Sequence, residues 1–60
     1  MSGVLKESRN GTTVEIDVVN GRCLVRVFGK VSREVRKAAD ELHCSPMPAG
    51  WVMRQLMKIV

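Results

Sequence analysis

The dipeptide Asn20-Gly21 constrains this chain more than any other feature, because it lies between two stretches rich in apolar residues. Asn-Gly is the preferred centre of a two-residue type I′ turn, since both central residues of that turn need φ > 0. We therefore predict a β-hairpin, with one strand over residues 12–19 and the next over residues 22–28. The turn also sets the register, because residues at equal distances before and after it become partners.

That register separates the hairpin side chains by polarity. One face collects only apolar residues: Val14, Ile16, Val18, Cys23, Val25 and Val27. The other face, where Glu15 lies opposite Arg26, collects Glu15, Asp17, Arg22, Leu24, Arg26 and Phe28. An apolar face and a charged face together indicate an antiparallel pair that is buried on one side only.

A helix is predicted after the hairpin. Ser32 is a good N-cap, and Glu34 places a negative charge in the first turn, where it suits the helix dipole. The apolar residues that follow recur at helical spacing: Val35, Ala38, Ala39 and Leu42. Pro46 disfavours helical backbone at the residue before it, so this helix should end near Cys44.

The last ten residues, 51–60, fit two structures. As a strand, they alternate between two faces. As a helix, they place on one side Val52, Leu56, Ile59 and Val60, with Met53 nearby, and the Met, Gln, Leu and Lys residues of the segment favour helix. We favour the strand, because a lone hairpin is marginal in water and a third strand would complete a usable sheet. Gly50 also suits a transition from loop to strand.

The predicted fold is therefore α+β: a small ββαβ domain over residues 12–60, with a three-stranded sheet in spatial order 2-1-3 and one helix packed on one face. The crossover through the helix should be right-handed. Residues 1–11 are polar and lack periodicity, and we expect a flexible N-terminal arm or a short extra edge strand.

Size and composition restrict the function. A single core of 60 residues rarely supplies more than about 3–5 kcal/mol of net stability, which argues against a deep catalytic cleft. The net charge of +4 would favour an acidic partner surface without identifying it. The first residues lack the apolar core of a signal peptide, and no apolar run is long enough to cross a bilayer. We therefore expect a cytoplasmic protein with reduced thiols and no membrane partner.

The residues that could carry chemistry do not form a motif. His43 and Cys44 are adjacent and Cys23 is distant, whereas structural zinc sites use four ligands with paired spacing. The hairpin places Cys23 on the buried face, where a thiol is usually inert. We predict no catalytic residue, no metal, no cofactor and no small-molecule substrate, so that the protein is not an enzyme.

The charged face of the sheet is the predicted binding site, because it carries apolar residues ringed by arginines. In the strand interpretation of the C-terminal segment, the protein-binding residues are Arg22, Leu24, Arg26, Phe28, Arg54, Leu56 and Lys58. If the last strand has the opposite phase, the residues it adds are Trp51, Met53 and Met57.

We predict a regulatory or inhibitory protein-binding module that self-associates as a homodimer; its protein partner is unknown. The alternative is a DNA- or RNA-binding domain, whose basic residues would be Arg22, Arg26, Arg54 and Lys58. Phe28 is the only aromatic residue on the face available for stacking bases, which favours the protein partner.

The predicted layout resembles known families at the level of the fold. With Pro48-Ala49-Gly50-Trp51 leading into the last strand, it is similar to short ββαβ proteins encoded by phages, which bind and inhibit host enzymes, and to small antitoxins. The resemblance implies a regulatory binding function. It assigns no role to any residue.

Overall fold

The computed structural model describes residues 4–60, which form three strands followed by two helices. The elements are β1 (Val4–Arg9), β2 (Thr12–Val19), β3 (Arg22–Gly29), α1 (Arg33–Leu42) and α2 (Ala49–Met57). The strands form one antiparallel sheet in the order β1-β2-β3. The α+β class is confirmed, but the order 2-1-3 and the single helix are wrong, because the third strand comes from the N-terminal end of the chain.

The predicted hairpin is confirmed as β2 and β3. Asn20 and Gly21 have φ values of 53° and 75°, as a type I′ turn requires. Val19 pairs with Arg22 beside the turn, and the pairing continues in the predicted register to Thr12 and Gly29. A local turn and alternating polarity were sufficient to specify this register.

A second hairpin joins β1 to β2 through another Asn-Gly turn. Asn10 and Gly11 have φ values of 51° and 80°, and Arg9 pairs with Thr12 beside them. Of the two structures expected for the N-terminal segment, the edge strand is the one found over Val4–Arg9. Residues 1–3 of the expected arm lie outside the described residues. Every residue of β1 is exposed. Because neither face of this strand is buried, its sequence shows no alternation of apolar and polar residues that would have predicted it.

Helix α1 forms where it was predicted. The Ser32 side chain accepts a hydrogen bond from the Val35 amide at 3.2 Å and so caps the first turn. Val35 and Ala39 are buried, while Ala38 and Leu42 are half-buried. This apolar stripe faces the sheet, and α1 packs mainly against β3.

The strand predicted over residues 51–60 is wrong: most of this segment belongs to α2. Val52, Met53 and Leu56 are buried at helical spacing against the apolar face of the sheet. Because β1 already supplies the third strand, the C-terminal segment is needed to cover the core rather than to extend the sheet. The ββαβ layout is therefore absent, and Ala49-Gly50-Trp51 begins a helix after Pro48, its N-cap residue.

Both helices lie on the same side of the sheet. The buried core joins strand residues such as Val14, Ile16 and Val25 to Ala39 of α1 and Leu56 of α2. Helix α2 packs against β2 and β1, next to α1. Among residues 4–60, no element covers the opposite face of the sheet, and this asymmetry positions the candidate site.

Candidate protein-binding face

The open face is the side of the sheet that faces away from both helices. Cross-strand partners point to the same side, so the register assigns its members in three rows. The rows are Val4, Asp17 and Leu24; Lys6, Glu15 and Arg26; and Ser8, Thr13 and Phe28. Val19 and Arg22 lie at the end beside the Asn20-Gly21 turn.

Apolar side chains are unusually exposed on this face. Val4 is 52% exposed, Phe28 47% and Val19 41%, and Leu24 is half-buried among its neighbours. Exposed apolar side chains occur singly on most protein surfaces, but several on one flat face, rimmed by charges, indicate an interface. Leu24 and Phe28 lie on this face as predicted.

Charged residues of both signs interrupt the apolar ones. The middle row runs from Lys6 on β1 through Glu15 on β2 to Arg26 on β3, so the sign alternates across the sheet. Opposite charges on directly paired residues contribute roughly 0.2–1 kcal/mol per pair. The central strand of the face is therefore acidic and both edge strands carry bases.

Asp17 has the least usual environment on this face. It lies between Val4 and Leu24, and its Oδ1 atom is inaccessible to solvent and has no hydrogen-bond partner within the described chain. A carboxylate oxygen without a partner costs free energy.

The guanidinium of Arg22 reaches across the outer edge of β3 to the segment after α1. Its Nη1 donates to the Cys44 carbonyl oxygen at 3.0 Å and so ties the start of β3 to the segment after α1. This contact stabilises the fold locally, and Arg26 is the exposed guanidinium of β3 on the open face.

The three C-terminal site residues lie elsewhere in the structure. Leu56 is fully buried in the core, whereas Arg54 on α2 and Lys58 at its C-cap are exposed, and this helix packs on the other face of the sheet. Of the set expected for the opposite strand phase, Met53 is buried, Met57 is half-buried and Trp51 is exposed, all on α2. None of these six residues joins the open face, because that placement depended on the strand interpretation.

The segment after α1 covers part of the outer edge of β3. Backbone bonds connect the Cys23 amide to the Ser45 carbonyl oxygen at 2.9 Å and the Cys44 amide to the Cys23 carbonyl oxygen at 2.6 Å. Next to them, the Val25 amide donates to Nδ1 of His43 at 3.0 Å. The sequence placed His43 at a helix end but did not reveal that its ring satisfies a strand edge.

The two cysteines lie in different environments. Cys23 is buried as predicted, and its thiol donates to the Met47 carbonyl oxygen at 3.1 Å; Cys44 is exposed, and both thiols are free. Over residues 4–60, no three His, Cys, Asp or Glu side chains are grouped closely enough to hold a metal ion. Neither helix in this part of the chain has the length and apolar character needed to span a bilayer.

Comparison with known proteins supplies no further assignment. No protein-family model, curated protein sequence or solved structure matches the chain.

Proposed function

We propose that this protein is a small non-enzymatic module that binds a protein partner through the open face of its sheet and regulates or inhibits that partner. The observation that carries the proposal is the exposure of Val4, Val19 and Phe28 on a sheet face that no described element covers. Burying such apolar surface contributes about 25 cal/mol for each Å² removed from water. A cytoplasmic location agrees with the two free thiols.

The open face also has the composition of a self-complementary surface. Its acidic residues, Glu15 and Asp17, lie on the central strand, whereas Lys6 and Arg26 lie on the two edge strands. In a two-fold arrangement, each copy presents the same patch, so bases of one copy can face acids of the other while the apolar residues meet. We therefore propose that the protein self-associates through this face.

Nucleic-acid binding receives less support from the same geometry. The four basic residues considered for it do not share a surface, because Arg22 and Arg26 belong to β3, whereas Arg54 lies on α2 and Lys58 is its C-cap, on the other side of the sheet. The acidic side chains of Glu15 and Asp17 would also repel phosphates at the centre of the open face.

The test is the oligomeric state over a concentration series by sedimentation. We expect wild-type protein to dimerise within the micromolar range, and Phe28→Asp to remain monomeric because two copies would have to bury new carboxylates. The matched control is Ile59→Asp, which places the same charge at a residue of similar exposure, 41%, outside the sheet. This control should dimerise like the wild type.

Two outcomes would contradict the proposal. A wild-type chain that stays monomeric at high micromolar concentration would remove the self-association. Binding to an oligonucleotide with an affinity that falls steeply with salt, and that weakens on replacing Arg22 and Arg26 by Ala, would instead assign the face to nucleic acid.

A further inference from the structure

The two edge strands of the sheet differ in whether another described segment covers them. The edge at β3 is capped over Cys23 and Val25 by the segment that contains His43, Cys44 and Ser45. The edge at β1 has no such cover among the described residues, and all six of its residues are exposed. An uncovered edge strand is a template for pairing with another chain.

The register identifies which backbone groups of β1 are free. Arg9 and Thr12 flank a two-residue turn, so they form a hydrogen-bonded pair and the bonded positions of β1 alternate from there. The amides and carbonyls of Val4, Lys6 and Ser8 therefore point away from β2. Three consecutive outward positions suit an added strand.

A groove of about 680 Å³ runs between this edge and helix α2. Its apolar lining comes from Leu5 on β1 and from Met53 and Met57 on α2. Gly50 also lines the groove, and a Cβ atom at this glycine would meet no atom within 4 Å. The side chains of an added strand that point toward α2 would enter this space, and flexible methionines adapt to such ligands.

The charges around the groove select an acidic occupant. Arg9 and Arg54 line it against Glu7 as the single acidic lining residue, and Lys6 adds a positive charge beside the groove, on the open-face side of β1. The Nη1 atom of Arg9 donates to the Met57 carbonyl oxygen at 3.3 Å, which holds this guanidinium near the end of α2. An acidic segment would meet a net positive rim.

A second copy of β1 is a poor occupant of the same edge. Antiparallel pairing of two β1 strands about their middle would place Lys6 opposite Lys6 or Glu7 opposite Glu7. Like charges in directly opposite positions are destabilising. A lysine in the middle of an edge strand therefore disfavours pairing with a second copy of the same strand. A partner strand with a carboxylate opposite Lys6 avoids this repulsion between like charges.

We propose that β1 receives an extended acidic segment of a partner protein as a fourth strand, with apolar side chains in the groove and carboxylates on the side of Lys6. Main-chain hydrogen bonds to Val4, Lys6 and Ser8 supply affinity, and the groove selects alternate side chains. This site uses the outward backbone groups of β1 and the groove beside α2, so it does not depend on self-association through the open face, although the side chains of Val4, Lys6 and Ser8 belong to that face.

The probe is a short capped peptide of alternating glutamate and valine, titrated into the full chain and followed by heteronuclear amide NMR. We expect the amide signals of Val4, Lys6 and Ser8 to shift and to gain protection from hydrogen exchange, because these amides acquire new acceptors. The signals of Leu24 and Phe28 should stay in place, which separates this site from the open face.

Two pairs of variants test the edge and the groove separately. Gly50→Leu fills the groove and should weaken peptide binding by about tenfold or more, whereas Gly50→Ala adds only a Cβ atom and should bind nearly as the wild type does. Lys6→Pro removes an outward amide without removing a bond to β2, and it should weaken binding more than Lys6→Thr, which keeps that amide.

Several results would overturn the inference. These are no binding of the peptide, equal binding of a lysine–valine peptide, and shifts confined to the open face. The same β1 shifts on dilution without peptide would assign the edge to a second copy, and the same shifts with single-stranded oligothymidine would assign it to nucleic acid.

Discussion

At the residue scale, Gly29 is the position where the backbone leaves least room for a side chain. Its φ is +86°, and a Cβ atom there would clash with the carbonyl oxygen of Gly11. That oxygen also accepts a hydrogen bond from the Lys30 amide at 3.0 Å, so the first hairpin turn is held against the end of β3. Gly29 therefore couples the two hairpins.

We expect Gly29→Ala to lower the free energy of unfolding by at least about 2 kcal/mol, because it adds backbone strain and a steric clash. The matched control is Gly21→Ala, where φ is +75° but no atom lies within 4 Å of the added Cβ. This variant should lose only the cost of the left-handed backbone, about 1–2 kcal/mol. Urea denaturation of both variants measures the difference, and equal losses would show that the clash is relieved by a shift of the turn.

At the scale of elements, the two edge strands are managed differently. The edge of β3 is covered by the turn after α1, in which Cys44 adopts a left-handed φ of 64° and Ser45 forms an isolated bridge with Cys23. The ring of His43 extends this cover to Val25. The α1–α2 connection thus protects one edge and leaves β1 as the accessible one.

We expect His43→Ala to lower the free energy of unfolding by about 0.5–1.5 kcal/mol, because the Val25 amide loses its acceptor. The specific measurement is amide hydrogen exchange at Val25 in the folded protein, which should become faster. The Cys23 amide bonds to Ser45 and is the internal control, so its exchange should change less. Unchanged protection of Val25 would mean that the imidazole does not cap this edge.

At the scale of the whole molecule, the sheet has one covered face and one open face, and the two leucines predicted for the binding site fall on opposite sides. Leu56, on α2, is fully buried against the covered face, whereas Leu24 is half-buried on the open face. Their substitutions should therefore have different consequences for folding and for binding.

We expect Leu56→Ala to cost about 2–5 kcal/mol, which is comparable to the whole stability of a core of this size, roughly 3–5 kcal/mol. Leu24→Ala should leave the protein folded. Thermal unfolding followed by circular dichroism compares the two variants directly. A Leu56→Ala protein as stable as Leu24→Ala would contradict the placement of α2 over the core.

The β2–β3 hairpin and α1 were predictable because their signals are local. The Asn20-Gly21 turn, the alternation of Val14 and Ile16 with charged residues, and the Ser32 cap each act within a few residues. The same turn dipeptide at Asn10-Gly11 indicates the first hairpin, but β1 is exposed throughout, so no apolar pattern in its sequence supports a strand there.

The amino-acid sequence by itself determined the register of the central hairpin, the polarity of its two faces and the position of α1, because turn geometry and capping depend only on neighbouring residues. The tertiary structure decided the state of residues 49–57, whose apolar residues suit either a strand or a helix. That choice depended on β1 occupying the third place in the sheet, a contact between residues far apart in the chain. Because this segment is helical, the open face lacks Arg54, Leu56 and Lys58. It retains Leu24, Arg26 and Phe28 from β3.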